Sequence, residues 1–421
     1  MHFSTLQTWL DQHATVHPDK INLGLTRCQA VAQRLDLLSP KIPVITVAGT
    51  NGKGSSVAFL EAIFTAAGYR VGCYTSPHLL RFTERIRLAG EEITDAQLCD
   101  SFNLIEETRG DITLTFFEFF TLAALWLFQH NPIDIAILEV GLGGRLDAVN
   151  IIDADIALIT QIDLDHTDFL GTDREKIGLE KAGIFRPQRP AICSDPNPPY
   201  TIIAKAQQLQ TQLYCINQDF SYVKQGDSWT LTTQQAVTFA QLPLPNLLGE
   251  HQLNNAAGAI MAAHLLSSRL TISQTAIATG LTQAKILGRF QIIPGKIMQI
   301  LDVAHNPSGV EVLKQQLLQQ PCQGKTIAVI GILKHKDVNS MLATIKSVID
   351  QWYIGNLSSN NTAIAEDLQT CLQTLQVTTT HVYSSIIQAY TDALAHAQPT
   401  DRIVVFGSFL TVAEVLANIA N

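Results

Sequence analysis

The sequence contains few charged residues and no long run of one charge. Charged residues make up 15% of its 421 residues, hydrophobic residues make up 46%, and the formal net charge is −9. This composition predicts a globular chain rather than a disordered one, with room for two or three domains. Because no basic run is present, nucleic acid is not expected to be the main partner. Any affinity for phosphate must therefore come from a local site.

Signals for disulfides and for membrane insertion are also missing. The seven cysteines are odd in number and form no C-x-x-C pair, which favours reduced, buried thiols over disulfides. Residues 1–20 are polar and charged, which is not typical of a secretory signal. The longest apolar stretch, residues 116–128, is too short to cross a bilayer and contains Glu118. It predicts a buried helix, and we expect a cytoplasmic protein that binds no membrane.

Short apolar runs alternate with helical patterns, which is typical of a mostly parallel sheet covered on both faces. The strands predicted in the first part of the chain are residues 44–48, 70–74, 133–140, 155–162 and 190–193. Residues 213–242 instead alternate between polar and apolar side chains, which predicts a small antiparallel section. A helix is predicted over residues 252–267.

A domain boundary is predicted near residues 288–290, where the alternation of strands and helices begins again. The strands predicted beyond it are residues 297–303, 325–332, 351–354, 381–383 and 402–406. The chain is therefore expected to form an α/β domain over residues 1–288 and a second, doubly wound α/β domain over residues 289–421.

Residues 48–56, A-G-T-N-G-K-G-S-S, connect a predicted strand to a helical pattern. Glycines let backbone N–H groups approach an anion closely, and the helix N-terminus adds a partial positive charge. Lys53 adds a full charge, and Ser55 or Ser56 can ligate Mg²⁺. The order departs from G-x-x-x-x-G-K-[ST], because Gly54 separates the lysine from the serine. A plain glycine-rich turn is the alternative, but such a turn does not need this lysine.

Three other predicted strands also end in polar segments, residues 74–79, 138–147 and 163–168. Ligands bind at the carboxyl ends of parallel strands. Glu139 can hold Mg²⁺ against phosphates, although a loop cap explains it as well. His166 is either a metal ligand or a structural hydrogen-bonding residue, and Ser76 by itself is explained as a turn residue before Pro77.

Two more polar groups follow predicted elements of secondary structure. Lys181 follows the predicted end of a helix, where a lysine is ordinarily a solvated charge. Asp302, His305 and Asn306 follow a predicted strand of the second domain. Capping of the next helix explains Asn306, but it explains the pairing of Asp302 with His305 less well.

Eight motifs, in one order along the chain, resemble the dihydrofolate synthase/folylpolyglutamate synthase family of the Mur ligase superfamily. They are GTNGKGS, TSPHL, LEVGLGGRLDA, LDHTD, EKAGIFR, GRFQ, DVAHNP and GSF. The resemblance implies a P-loop-containing parallel-sheet ATPase domain of the Mur ligase central-domain type, followed by a smaller Rossmann-like α/β domain. It also implies an ATP-dependent ligase that joins L-glutamate to dihydropteroate and adds further glutamates to tetrahydrofolates through an acyl phosphate.

The resemblance implies roles for individual residues as well. ATP would be bound by Asn51, Gly52, Lys53, Gly54, Ser55, Asn255, Arg289 and Asp302. Ser76 and Glu139 would ligate one Mg²⁺ and His166 a second, and a monovalent cation is a further candidate. Lys181 would be carbamylated by CO₂ and would act with Lys53, Asp302 and His305 in catalysis. His305 and Ser408 would place the incoming glutamate.

For the pterin, the family uses an early I-D-L-G-L segment, a second segment near residue 115, and a third after the glycine loop. The matching residues here are Asn22, Leu23, Gly24, Leu25, Thr115, Phe116, Phe117, Glu118, Leu146 and Asp147. Asn22 stands where the family has an acid, and Phe117 stands where a tyrosine is familiar. These two differences change the polar contacts expected at the pterin and leave ATP handling untouched.

Three alternatives stay open at this point. A monofunctional folylpolyglutamate synthase would lack the first reaction, and a Mur-type cell-wall ligase would use a different acid. A GTPase switch is suggested only by residues 160–163, T-Q-I-D, which weakly resemble the guanine-reading [NT]-K-x-D. The expected partners are ATP, dihydropteroate, folates and L-glutamate, and a monomer is expected.

Overall fold

The computed structural model describes residues 5–13, 22–234, 236–359 and 361–420. The chain divides into two compact units. The first comprises residues 1–246 and 250–285, and the second comprises residues 247–249 and 286–421. Where the sequence predicts a division after residue 288, the compact units divide after residue 285.

The first unit contains eleven strands and ten helices among the residues described. The strands are β1 (Val44–Ala48), β2 (Val71–Tyr74), β3 (Ile86–Leu88), β4 (Glu91–Glu92), β5 (Ile135–Glu139), β6 (Ile156–Ile159), β7 (Pro190–Cys193), β8 (Gln212–Cys215), β9 (Phe220–Gln225), β10 (Ser228–Thr233) and β11 (Thr238–Pro243). The helices are α1 (Leu6–His13), α2 (Thr26–Arg34), α3 (Lys53–Ala66), α4 (Asp95–Arg109), α5 (Phe116–His130), α6 (Thr167–Leu170), α7 (Arg174–Lys181), α8 (Tyr200–Leu209), α9 (His251–Leu265) and α10 (Gln274–Gln283). Short 3₁₀ helices cover Phe82–Arg85, Ala148–Ile151 and Ala182–Ile184.

An eight-stranded sheet forms the core of this unit, in the order β4-β3-β2-β5-β1-β6-β7-β8. Strands β2, β5, β1, β6, β7 and β8 are parallel, whereas β3 and β4 extend the edge in antiparallel fashion. Every residue of β1, β2, β5 and β6 is buried. Their near-continuous apolar sequence therefore reflects cover on both faces of the sheet, as predicted.

The structure differs from the sequence-based prediction at three strands. Gln212–Cys215 was expected to begin the antiparallel section, but it pairs in parallel with β7 at the edge of the main sheet. The separate antiparallel sheet contains β9, β10 and β11. Strands β3 and β4 were not predicted, because runs of two and three residues are too short to show a period.

The apolar stretch after residue 115 forms helix α5, most of whose side chains are buried. A helix that is apolar on all sides belongs in a core, as predicted. None of the described helices combines the length and apolar character needed to cross a membrane. Thr115 and Glu118 form a capping box at the start of α5, with each side chain accepting the other's backbone N–H.

The second unit repeats the α/β plan with a six-stranded sheet in the order β12-β13-β17-β14-β15-β16. Its strands are β12 (Gln291–Ile293), β13 (Met298–Leu301), β14 (Thr326–Ile330), β15 (Gln351–Gly355), β16 (Thr380–Tyr383) and β17 (Arg402–Phe406). Its helices are α11 (Pro307–Gln319), α12 (Val338–Ile345), α13 (Ala365–Thr374), α14 (Ile386–His396) and α15 (Phe409–Ala420), and Lys346–Val348 form a 3₁₀ helix. All neighbours except β12 and β13 are parallel. This is a Rossmann-like domain, with β12 as the strand that sequence analysis missed.

Candidate active site

The four polar segments singled out in the first unit follow four adjacent strands, β2, β5, β1 and β6. Residue Tyr74 of β2 is level with Leu138 of β5, and Val47 of β1 is level with Glu139. The carboxyl ends of these strands therefore meet at one edge of the sheet. Sequence reasoning expected this, because parallel strands end on the same side.

The phosphate loop between β1 and α3 has two glycines with positive φ, Gly49 at +155° and Gly52 at +90°. A β-carbon on Gly49 would lie 1.8 Å from Thr160 Oγ1, and one on Gly52 would lie 2.4 Å from Asn255 Oδ1. Lys53 begins α3, and its Nζ donates to the carbonyls of Gly49 and Thr50 at 3.1 and 3.2 Å. The loop thus curls around the lysine, with Thr160, which follows β6, packed against Gly49 and Asn255 of α9 packed against Gly52.

The segment after β6 braces this loop through Thr50 and Thr160. The backbone N–H of Thr50 donates to Gln161 O at 2.7 Å, and Thr50 Oγ1 donates to Asp163 O at 3.0 Å. Thr160 Oγ1 donates to Asn51 O at 2.7 Å. The T-Q-I-D residues that weakly resembled a guanine-reading motif therefore support the phosphate loop.

Helix α9 contributes two buried amides behind the start of α3. Gln252 Nε2 donates to Ser55 Oγ at 3.3 Å, and Asn255 Nδ2 donates to Gln252 Oε1 at 2.9 Å. Both amides are at most 4% exposed. Sequence analysis selected Asn255 but not Gln252, which lies three residues earlier in the same helix. Gln252 positions Ser55, two residues after the phosphate-loop lysine.

Glu139 is the last residue of β5 and is buried. One of its oxygens, Oε2, accepts the backbone N–H of Ser76 at 3.1 Å. The turns after β2 and β5 are therefore joined through this carboxylate, which brings the hydroxyl-bearing residue Ser76 beside it. Both offer the oxygen atoms that Mg²⁺ and Mn²⁺ accept as ligands.

The glycine loop after β5 packs against the end of α7. A β-carbon on Gly144 would lie 2.9 Å from the carbonyl oxygens of Glu180 and Lys181, and one on Gly183 would lie 2.4 Å from the Cα of Arg145. The backbone N–H of Arg145 donates to Glu180 O at 2.8 Å. The two motifs therefore need glycine because their backbones touch, and this contact places Lys181 next to the glycine loop.

Lys181 is the last residue of α7, not a residue beyond the helix as the sequence suggested. Its side chain is buried. Burial, and then the positive charge of Lys53, lower its pKa well below the usual value, while Asp165 and Asp147 partly oppose this effect. A lysine expected to be a solvated surface charge is thus a buried amine with a tendency to be neutral.

Asp147 is buried at the end of the same glycine loop. Its Oδ2 accepts the N–H of Leu142 at 2.8 Å, and its Oδ1 accepts the N–H of Val149 at 3.0 Å. Burial raises the pKa of Asp147 to about 6, and these N–H groups and Lys53 lower it in part. The carboxyl group therefore changes charge close to neutral pH.

The early segment reaches the glycine loop and helix α5. The N–H of Gly24 donates to Leu146 O at 3.3 Å. Arg27 Nη1 donates to Asn22 Oδ1 at 3.0 Å, and Arg27 Nη2 lies 3.2 Å from Glu118 Oε1. Arg27 thus connects two residues assigned to the pterin site, and it was not selected because no sequence motif marks it.

Phe117 occupies the space next to Gly141. A β-carbon on Gly141 would lie 2.7 Å from Phe117 Cζ and 3.3 Å from Asp147 Oδ2. The Phe117 ring also packs against Tyr74, with 5.7 Å between ring centroids. Phe117 of α5 thus lies beside Gly141 and Asp147 of the glycine loop, to which Gly24 of the early segment is bonded through Leu146. Thr115 and Glu118 form the capping box of α5, and the roles of Leu23, Leu25 and Phe116 at the pterin stay predictions.

His166 has φ +51° and directly precedes α6. Its Nε2 lies 3.9 Å from Asp165 Oδ2, and its side chain is 35% exposed. Among the residues described, no three side chains of His, Cys, Asp or Glu form a metal site by themselves. A metal ion at this sheet edge would need further ligands from a nucleotide or from water.

In the second unit, Asp302 follows β13 and is buried. It accepts the N–H groups of Phe290 and Ala304 at 2.7 and 2.8 Å. Burial raises its pKa, and Arg289, these N–H groups and His305 oppose this. Phe409 lies beside both Arg289 and His305, at 5.4 Å from the guanidinium and 5.7 Å between rings.

His305 and Asn306 differ in what they do. His305 Nδ1 lies 2.9 Å from Val303 O, and because a carbonyl oxygen only accepts, this nitrogen carries the proton. Asn306 caps α11 by accepting the N–H of Gly309 at 2.7 Å, which confirms the capping explanation.

Ser408 is fully buried. Its Oγ accepts the N–H of Thr411 at 3.0 Å at the start of α15 and lies 2.7 Å from Thr411 Oγ1. This hydroxyl therefore caps α15, and its predicted contact with glutamate stays a prediction.

Comparison with known proteins agrees with this architecture. Residues 47–263 match the Mur ligase middle domain, and residues 288–409 match the Mur ligase, glutamate ligase domain. The dihydrofolate synthase/folylpolyglutamate synthase of Escherichia coli (strain K12) is 46% identical over 98% of this chain and 95% of its own length.

Two solved structures are similarly close. E. coli FolC in complex with DHPP and ADP superposes with a TM-score of 0.93 at 46% identity, covering 99% of this chain and 98% of that one. A bifunctional folylpolyglutamate synthase/dihydrofolate synthase with Mn, AMPPNP and L-glutamate bound gives a TM-score of 0.92 at 44% identity, with the same coverage. The GTPase alternative is thereby set aside, and the chain belongs to the dihydrofolate synthase/folylpolyglutamate synthase family of Mur ligases.

Proposed function

We propose that this chain is an ATP-dependent ligase that joins L-glutamate to dihydropteroate and adds further glutamates to tetrahydrofolates. The observation that carries the proposal is that a phosphate-binding loop and a candidate pterin pocket lie next to each other in the first unit. The phosphate loop around Lys53 and the Glu139–Ser76 pair lie at the same sheet edge as the pocket formed by Phe117 and Asp147. Relatives solved with DHPP, ADP, AMPPNP and L-glutamate support this choice of substrates.

The reaction requires activation of a carboxylate, which is a poor electrophile. An oxygen of the substrate carboxylate attacks the γ-phosphorus of ATP, the bond to ADP breaks, and an acyl phosphate forms. The amine of glutamate then attacks the acyl carbon, phosphate leaves, and the amine loses a proton to give the amide. Lys53 at the phosphate loop screens the repulsion between the two reacting anions, and exclusion of water protects the acyl phosphate from hydrolysis.

A divalent metal ion fits the residues present. Glu139 supplies a buried carboxylate, Ser76 a hydroxyl and His166 an imidazole, and phosphates and water complete the ligands of such ions in nucleotide sites. This explains why the described residues form no metal cluster of their own. When bound, the metal neutralises charge on the phosphates. Two ions, one at Ser76 and Glu139 and one at His166, remain our proposal, as does a monovalent cation.

Carbamylation of Lys181 is part of the proposal. The neutral amine attacks the carbon of CO₂ and loses a proton, so the cation becomes an anion. Lys181 is buried against the glycine loop, and its depressed pKa supplies the neutral amine that the reaction needs. Mass spectrometry under CO₂ with chemical trapping of the carbamate tests this step, and an unmodified Lys181 under saturating CO₂ would contradict it.

The second unit is proposed to bind glutamate and part of the nucleotide. Arg289 and His305 both lie beside the ring of Phe409, and Asp302, which follows β13, accepts the N–H of Phe290 next to Arg289. His305 Nδ1 donates to Val303 O, which fixes the orientation of the ring after β13. Ser408, whose hydroxyl accepts the N–H of Thr411 at the start of α15, is proposed as a second contact for glutamate.

The experiment that tests the function is glutamate-dependent ADP release with dihydropteroate and tetrahydrofolate measured side by side. Turnover with both is expected. Turnover with tetrahydrofolate alone would identify a monofunctional folylpolyglutamate synthase, and turnover with a UDP-muramoyl acid alone would identify a cell-wall ligase. A clear preference for GTP over ATP would contradict the proposal as a whole.

We also propose that the chain is a cytoplasmic monomer. All seven cysteines are free thiols, which fits a reducing compartment and supports a cytoplasmic enzyme. A monomer is proposed, because each substrate has a place on a single chain, and light scattering tests it.

A further inference from the structure

Arg85 is a buried guanidinium that has no acidic partner among the residues described. It ends the 3₁₀ helix Phe82–Arg85 and is 8% exposed. No carboxylate in the described ranges lies within 4.0 Å of it, whereas Arg81 pairs with Glu92 at 2.7 Å and Arg87 pairs with Glu61 at 2.6 Å. A charge that is taken out of water is normally paired, so Arg85 calls for an explanation.

The neighbouring residue Glu84 uses its carboxylate to accept backbone N–H groups and does not pair with Arg85. Its oxygens accept the backbone N–H groups of Leu79, Leu80 and Arg81 at 2.6–2.8 Å. It therefore holds the turn after β2 in place and leaves the Arg85 guanidinium without a direct counter-ion.

Neutral groups hold Arg85 in position. Its Nε donates to His78 Nδ1 at 2.9 Å. Because His78 Nδ1 accepts this hydrogen bond, it carries no proton, and the ring is uncharged. The guanidinium carbon lies 5.4 and 4.9 Å from the ring centroids of Phe116 and Phe120. These contacts fix the orientation of the guanidinium and stabilise it modestly, but none of them neutralises it.

The position of Arg85 lies between the two halves of the candidate site. On one side is the turn of Ser76 and His78, which is joined to Glu139. On the other side is the start of α5, where Phe116 contacts the guanidinium and Phe117 belongs to the predicted pterin pocket. A substrate that spans from this pocket to the phosphate loop would pass Arg85.

We infer that Arg85 binds the reacting carboxylate of the acid substrate and makes the site selective for an acid over its uncharged analogue. The inference rests on the proposed function, which supplies an acid that must lie between the pterin pocket and ATP. A guanidinium presents a planar pair of N–H groups that matches a carboxylate. Its direct contacts are with uncharged groups, and the carboxylates of Glu84 and Glu139 act on it only from beyond ion-pair distance, so its charge is available to the substrate.

The test compares binding of dihydropteroate with binding of its carboxamide, in the absence of ATP, by isothermal titration. The wild type is expected to bind the acid about 30-fold more tightly, the size of one desolvated charge-assisted contact. R85M is expected to lose this preference, so that acid and amide bind within about threefold of each other. The matched control R81M changes an arginine that is 70% exposed and paired with Glu92, and it should keep the wild-type preference.

Three outcomes overturn the inference. The wild type binds acid and amide equally, R85M keeps the preference for the acid, or R85M weakens both ligands by the same factor, which would mean that Arg85 only shapes the pocket. If R85M does not fold, R85Q replaces it, because glutamine keeps a donor toward His78, and the same criteria apply. Turnover of dihydropteroate by the wild type is measured in parallel. If the wild type does not turn over dihydropteroate, the proposed function is wrong. If the wild type turns it over normally but R85M still prefers the acid to the carboxamide, only the role inferred for Arg85 is wrong.

Discussion

The hydroxyl of Thr160 lies where a β-carbon on Gly49 would stand, at 1.8 Å from that position. The same hydroxyl donates to Asn51 O, so Thr160 both contacts the phosphate loop and fixes its backbone. The loop can hold its shape only if residue 49 has no side chain.

Gly49→Ala is therefore expected to reduce ATP turnover by at least about 100-fold. The added methyl group would have to displace Thr160, and φ of +155° is unfavourable for alanine. ADP release measures the effect, and Gly295→Ala is the matched control, because its β-carbon would meet only Ile297 O at 3.5 Å. Normal turnover by Gly49→Ala would show that the loop does not carry the nucleotide phosphates.

Lys53→Ala is expected to abolish ATP turnover while the fold stays intact. Lys53 Nζ donates to the backbone carbonyls of Gly49 and Thr50 in the phosphate loop. The substitution removes the positive charge from this loop, whereas the hydrogen bonds that Thr160 and Gln161 make to the loop remain. Turnover and thermal unfolding are measured together, and Lys205→Ala, on a surface lysine bonded to Gln208, is the control. An active Lys53→Ala protein would mean that the phosphate loop is wrongly assigned.

Affinity for dihydropteroate should fall as the pH drops below about 6. Burial raises the pKa of Asp147 to about 6, so its carboxylate becomes protonated there and loses an acceptor for the pterin N–H groups. We expect up to about tenfold weaker binding per pH unit in the wild type. Asp147→Asn should bind weakly at every pH and show a nearly flat profile between pH 7 and pH 5. Parallel profiles for the two proteins would assign the titration to another group.

His78 should make the folded chain less stable as the pH falls from 6.5 toward 4. Burial lowers its pKa to about 4 in the folded chain, against 6.5 when exposed. Between these values the unfolded chain binds a proton that the folded chain does not. The contribution is thus complete above pH 6.5 and is lost as the pH falls toward 4, by at most about 3 kcal/mol.

His78→Gln should remove part of this loss of stability, because glutamine can still accept from Arg85 Nε and does not titrate in this range. Urea unfolding at pH 7 and at pH 4.5 measures the free-energy difference for each protein. His396→Gln, on a histidine that is 66% exposed, serves as the control and should leave the difference unchanged. An equal difference in His78→Gln and in the wild type would contradict this account.

Sequence analysis correctly placed those site residues that lie at or just after the end of a strand. Glu139 and the phosphate loop could be placed at one sheet edge, because strand polarity alone decides where they lie. Contacts between distant segments could not be predicted in this way. The link between Arg27 and Glu118 joins positions far apart in sequence, and the burial of Lys181 depends on the approach of two glycine-containing backbones. The parallel pairing of β8 was missed because only one of its four residues, Cys215, is buried, so the short edge strand carries no distinctive period.

Glu118 has two tasks that cannot be separated. Its Oε2 accepts the N–H of Thr115 at 2.7 Å in the capping box of α5, while Oε1 faces Arg27 at 3.2 Å. Anyone who redesigned this position to admit a differently shaped acid would also unwind the first turn of a central helix. Substrate choice is therefore more readily changed at Asn22 or Phe117, where a new side chain would keep the capping box of α5.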